Sequence, residues 1–96
     1  MTNCKDLAEV RWNIDNIDNQ IVKLIAKRSY YVKQAANFKK DAEDVKSPKR
    51  LELVIEKVRR IAEENKLNPD IIEVVYRNMI NSFINLELEE HSELNK

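Results

Sequence analysis

Arg28 and Lys39 stand 11 residues apart in the stretch RSYYVKQAANFK, residues 28 to 39, and at about 3.6 residues per turn that is about three turns of a helix. The spacing predicts two cations on one helical face, with only Val32 and Ala35 between them on it. Arg50 falls at the third position of another expected helix, where the helix dipole favours an anion. Arg11 precedes Arg28 by 17 residues, about 25 Å along a helix axis, so it reaches the same small molecule only from a second chain. Glu87 follows Ile80 by seven residues and Phe83 by four, which puts a carboxyl group on an apolar face. Such a set fits a small di-anion held over an apolar floor, with catalysis by electrostatics and shape. No nucleophile with a base beside it, glycine-rich phosphate loop or metal-ligand set gives covalent, phosphoryl or metal chemistry a foundation.

Positioning these groups requires helices, and the chain signals three. It has no glycine and two prolines, each after a good N-cap residue, in Ser47-Pro48 and Asn68-Pro69. Proline at N1 has no N–H to orphan, so both pairs predict helix starts. Asp6-Leu7-Ala8-Glu9 has the spacing of a capping box and predicts the third. From Leu7 the apolar residues recur at heptad-like intervals through Val10, Ile14, Ile17, Ile21, Leu24, Ile25, Tyr31, Val32, Ala35 and Phe38, with no breaker before about Asp41. Leu51, Val54, Ile55, Val58, Ile61 and Ala62 mark a second helix; Ile72, Tyr76, Met79, Ile80, Phe83, Ile84 and Leu86 mark the last. Nothing alternates as a strand does. The expected fold is all-α, three helices in a single domain spanning residues 1–96.

The first helix is too long for that domain. About 35 residues make about 50 Å of helix, whereas a compact domain of this size is about 32 Å across. Its apolar stripe continues along the overhang, so a second chain is expected to cover it, in a homodimer of packed or crossing long helices.

On a heptad frame Leu7, Ile14, Ile21, Arg28 and Ala35 share one position, so a guanidinium stands where Ile or Leu is expected. Burying it unpartnered is costly. Either a salt bridge in the core, for example with Asp18 of the partner chain, or an anionic ligand answers that cost. Glu87 likewise has two readings: a salt bridge or solvent-facing acid, or a carboxyl kept protonated by desolvation, a shift that nearby cations oppose.

The 17 basic and 17 acidic residues balance, but residues 23 to 60 hold 12 Lys or Arg against 5 acids and residues 61 to 96 hold 3 against 8. A nucleic-acid face would put its cations outside, interleaved with polar groups, whereas the cations singled out here point into an apolar stripe. Trp12, Tyr30 and Tyr31 are accordingly expected to pack. A single cysteine, Cys4, suits a reducing compartment and excludes an internal disulfide. One histidine, His91, far from it in sequence does not make a metal set; neither residue is given a role. With no apolar run near the roughly 18 residues of a membrane span and no signal-peptide layout, a soluble, cytoplasmic protein with no membrane, metal or nucleic-acid partner is expected.

In combination, "VRWNIDNIDNQIVKLIAKR" (10 to 28), "VKQAANFK" (32 to 39), "SPKR" (47 to 50), "AEENKL" (62 to 67) and "YRNMINSFINLELEEH" (76 to 91) resemble the all-helical chorismate mutases, including the related isochorismate pyruvate lyases. The resemblance implies an intertwined dimer with two equivalent active sites, each completed by the partner's first helix. It implies that Arg28 and the partner's Arg11 clamp the substrate carboxylates, with Arg50 assisting, and that Lys39 contacts a carboxylate and the ether oxygen. Glu87 falls where the family has Gln or Glu, the second donor to that oxygen. Val32, Ala35, Ser47 and Phe83 join the substrate-binding set, and no cofactor is needed. The implied activity is rearrangement of chorismate to prephenate.

Two positions depart from that pattern. Leu51 stands where many mutases have an acid after the arginine of the second helix, and Ser47 where some have Asp. The lyases, which make salicylate and pyruvate, resemble the chain in lacking that acid and in "NIDNIDNQIV", "YVKQAANFK" and "AEEN", but carry Gln at position 87. Lyase activity is therefore the alternative, and a catalytically silent helical dimer acting as an interaction module is a third reading.

Overall fold

The computed structural model describes residues 3–41 and 46–94, with side chains to residue 89 in the last helix; His91 lies outside the described side chains. Among the described residues the chain is all-helical and without strands: α1 spans Leu7–Ala36, α2 Pro48–Glu64 and α3 Pro69–Leu94. It divides into two compact units, Met1–Tyr31 and Val32–Lys96, with the boundary inside α1.

Each helix begins on a cap made by its own neighbours. At α1 the Glu9 N–H donates to Asp6 Oδ1 at 2.8 Å, and the Glu9 carboxylate reaches back to accept from the Lys5 N–H at 3.4 Å. Ser47 Oγ accepts from the Arg50 N–H at 3.4 Å, with Pro48 at the first helical position of α2. Asn68 Oδ1 accepts from the Asp70 N–H at 2.9 Å at the start of α3. Amide donors that helix geometry leaves without partners are thereby satisfied, worth about 1 kcal/mol per cap.

The end of α1 departs from the expected run to about Asp41. The helix has 30 residues and stops at Ala36. The N–H groups of Asn37, Phe38 and Lys39 then bond only three residues back, to the carbonyls of Gln34, Ala35 and Ala36, at 3.1, 3.0 and 3.3 Å. These tighter turns satisfy the last carbonyls and end the helix after Ala36. Phe38 consequently stands 85% exposed instead of extending the stripe. Lys39 is outside the helix, so it does not share a helical face with Arg28 as the spacing predicts.

In the second unit α2 packs against α3 through a connection at residues 65–68. Ile55, Val58, Ala62 and Ile80 are buried there, along with Ala36 at the end of α1. Burial of each larger side chain contributes roughly 1.5–3 kcal/mol. The α2 exit closes with the Leu67 N–H donating to the Ala62 carbonyl at 2.9 Å and the Lys66 N–H to Glu63 at 3.1 Å. Lys66 takes φ 59° to do so, a left-handed conformation in which its Cβ is crowded and glycine is usual. Lys66→Gly is expected to stabilise the fold by about 0.5–1 kcal/mol, read as a higher urea midpoint with an unchanged slope.

In the first unit the stripe of α1 is uncovered within one chain. Leu7, Val10, Ile14, Ile17, Ile21, Leu24 and Ile25 are each between 37% and 63% exposed. Tyr30 and Tyr31 meet edge to face, with ring centroids 5.3 Å apart and planes at 78°, but contrary to the packing expected of them, both rings and Trp12 stay exposed within one chain. No described helix is long and apolar enough to cross a membrane.

Candidate active site

Of the nine positions singled out from the sequence, Arg11 and Arg28 belong to the first unit; Val32, Ala35, Lys39, Ser47, Arg50, Phe83 and Glu87 belong to the second. Arg11 is exposed on α1, whereas Arg28 is half-buried with its Nη1 out of solvent. The 17 residues between them put about 25 Å of helix between their backbones, so one chain does not gather both around one small molecule.

Within the second unit, Val32 and Ala35 lie half-buried on the last turns of α1. Lys39 is half-buried too, held by its backbone turn to Ala36. Ser47 and Arg50 are brought into direct contact, since the Ser47 hydroxyl accepts from the Arg50 backbone N–H. That bond uses the hydroxyl as a cap, while the Arg50 side chain remains exposed at the positive end of the helix. The first turn of α2 carries no acid. On α3, Phe83 and Glu87 are both half-buried, and Glu87 Oε2 is shielded from solvent. Desolvation of a carboxyl oxygen favours its neutral form and nearby cations favour the ionised one, so the two sequence readings of Glu87 meet at this atom. The chemistry available is that of fixed donors and charges: Lys39 supplies an ammonium and Glu87 a carboxyl group.

One constellation escaped the reading of the sequence. Arg77 Nη2 donates to both carboxylate oxygens of Glu52, at 2.9 and 3.1 Å, and Arg77 Nε donates to Glu73 Oε2 at 2.8 Å. Arg59 Nη1 donates to Glu73 Oε1 at 2.7 Å and to Asp70 Oδ1 at 3.0 Å. Acid and base alternate along Asp70, Arg59, Glu73, Arg77 and Glu52, linking α2 to α3. Only Glu73 and Arg77, four residues apart on one helix, have a spacing that announces a pair; the other links need the packed helices. Arg77 is raised above the ordinary arginine value, first by Glu52 and then by Glu73. Glu73 is lowered below the ordinary carboxylate value, mainly by Arg77, with Arg59 adding to it.

A lowered carboxyl contributes stability above its unfolded value, near pH 4.5, and loses it as pH falls through the folded value. The melting temperature is therefore expected to drop on acidification from about pH 5 to about pH 3, with a shallower drop in Glu73→Gln. Equal slopes in thermal melts of the two proteins would remove Glu73 from the acid response.

Comparison with known proteins identifies the family. The family described as Chorismate mutase type II matches residues 10–88, an interval that contains all nine positions. The chain is 35% identical over 81 residues to a Pseudomonas aeruginosa protein named isochorismate pyruvate lyase, covering 84% of this chain and 80% of that one. It is also 35% identical over 66 residues to a Methanocaldococcus jannaschii chorismate mutase, covering 68% of this chain and 67% of the relative. With more than half its length matched and two such relatives, this chain belongs to the type II chorismate mutase family.

Proposed function

We propose that this enzyme rearranges chorismate to prephenate, in a single domain over residues 1–96 that works as an intertwined homodimer. The observation that carries the reading is the family match over residues 10–88, which takes in every one of the candidate site residues. In the rearrangement the ether C–O bond breaks ahead of C–C bond formation, so negative charge grows on the ether oxygen. Lys39 and a protonated Glu87 donate to that oxygen, and their bonds strengthen as the charge develops. Arg28, assisted by Arg50, holds the carboxylates so that the enolpyruvyl chain folds over the ring, which lowers the entropic cost of a cyclic transition state. Val32, Ala35 and Phe83 line the apolar side, and Ser47 fixes the turn from which Arg50 projects.

The partner subunit supplies Arg11. The exposed stripe from Leu7 to Ile25 supports this arrangement, because a second copy of α1 would remove it from water. Ile21→Asp is expected to weaken the dimer at least about tenfold, seen in sedimentation equilibrium, with activity per chain falling in step. A wild-type protein that is fully active while monomeric would sink the two-chain site.

A second reading is favoured by Leu51, which leaves the position after Arg50 without an acid to hold a ring hydroxyl, and by the likeness to the Pseudomonas aeruginosa lyase. The same pocket then splits isochorismate into salicylate and pyruvate. Incubating the purified protein with each substrate separates the two: prephenate as main product supports the mutase, and salicylate with an equal amount of pyruvate supports the lyase. Turnover of neither substrate overturns both.

A further inference from the structure

The outer face of α3, opposite the buried Ile80, carries no charge over about four turns. It opens with Ile71, Val74 and Val75, which stay 55%, 61% and 50% exposed, and continues through the exposed Asn78, Asn81, Ser82 and Asn85. A face built for water looks different in this chain: around Leu53, the exposed side of α2 bears Lys49, Glu56, Lys57, Arg60 and Glu64. Two polar groups of the α3 face are also turned back on their own helix. Asn78 Nδ2 donates to the Val74 carbonyl at 2.9 Å, and Ser82 Oγ donates to the Asn78 carbonyl at 3.1 Å. Side chains bonded in this way lose less when water is removed than polar groups that rely on it.

We infer that the outer face of α3 is the seat of the partner's α1, the contact that delivers Arg11 to the site. The inference rests on the proposed two-chain site, in which the partner's Arg11 joins Phe83 and Glu87. Those two residues bracket Asn85, the last uncharged position of the face. From Arg11 to Ile25 and from Asn85 back to Ile71 are both 14 residues, about 21 Å of helix in each case. Run antiparallel, the exposed apolar stripe of the partner's α1 therefore covers the α3 face from end to end while Arg11 stays level with the site residues. The uncharged face meets that stripe without leaving a charge desolvated. Two-fold symmetry gives two such seats per dimer, so any change in one chain counts twice.

The test is sedimentation equilibrium on wild type, Val74→Asp and Leu53→Asp, with turnover and cross-linking beside it. Val74→Asp is expected to weaken the dimer at least about tenfold, with helix content by circular dichroism unchanged because Val74 is exposed in the single chain. Leu53→Asp, an exposed apolar residue among the charges of α2, leaves the dimer within about twofold of wild type. Arg11→Ala and Arg28→Ala, each poorly active alone, recover turnover when mixed, since one site of the mixed dimer then holds both arginines. Adding Val74→Asp to both proteins abolishes that recovery at the same concentration. In a Cys4→Ser background, a short bis-maleimide joins Val75→Cys in one chain to Ile21→Cys in another, positions ten residues along from Asn85 and Arg11; this product decides if Val74→Asp does not fold. A Val74→Asp dimer as tight as wild type, or Val75→Cys chains that join mainly to each other, overturns the seat on α3. Mixed Arg11→Ala and Arg28→Ala chains that dimerise without recovering turnover overturn the two-chain site instead, and a monomeric wild type overturns both.

Discussion

Lys39→Ala is expected to lower kcat by about 10²- to 10³-fold with a smaller change in KM, the range found when one donor to a developing oxyanion is removed. The ammonium matters most when the ether oxygen carries most charge, at the transition state. The contact with a substrate carboxylate proposed for it is the same in ground state and transition state, which is why only a modest rise in KM is expected. The structure adds a reason why the loss should be clean. Lys39 lies beyond the end of α1, and the turn that fixes it is made by its backbone N–H and the Ala36 carbonyl at 3.3 Å, neither of which the substitution removes. Circular dichroism and melting should therefore stay near wild type while turnover collapses. A kcat within about threefold of wild type would take Lys39 out of the mechanism.

Glu87 leads to the second large effect, and its direction depends on protonation. A carboxylic acid donates a hydrogen bond to the ether oxygen, whereas a carboxylate offers only acceptors and repels the charge that grows there. Turnover is expected to fall about tenfold per pH unit once pH exceeds the value at which Glu87 ionises in the complex. Glu87→Gln retains an N–H donor at every pH, so its profile should be flat over the same range and cross above wild type on the alkaline side. A wild-type rate that is level from acid to alkaline pH would remove the protonation requirement.

Much of the fold was legible in short-range signals. Asp6, Ser47 and Asn68 were each expected to start a helix, and each accepts a backbone N–H at such a start. These signals are reliable because a cap involves residues two or three apart and needs no tertiary partner. The end of α1 was less legible: the apolar pattern continues to Phe38, but the helix stops at Ala36, and neither glycine nor proline marks the exit. Ala36 was passed over for its neighbours, although it is 0% exposed; alanine's small side chain gives a pattern little to register. The α2–α3 ion ladder stayed hidden because Glu52 and Arg77 are 25 residues apart. The chemistry proposed for the site rests on residue types and family likeness, whereas the pairing of Glu52 with Arg77 required the packed helices.

The caps also bear on the order of events in folding. Each of the three helix starts is fixed by groups within four residues of one another, so helical turns can nucleate at those points before any distant contact forms. Helix formation takes microseconds or less, while the proposed dimer requires two chains to meet and so forms at a rate set by concentration. Recovery of backbone signal after a jump out of denaturant should then precede recovery of turnover, with only the slower event accelerating as more protein is added.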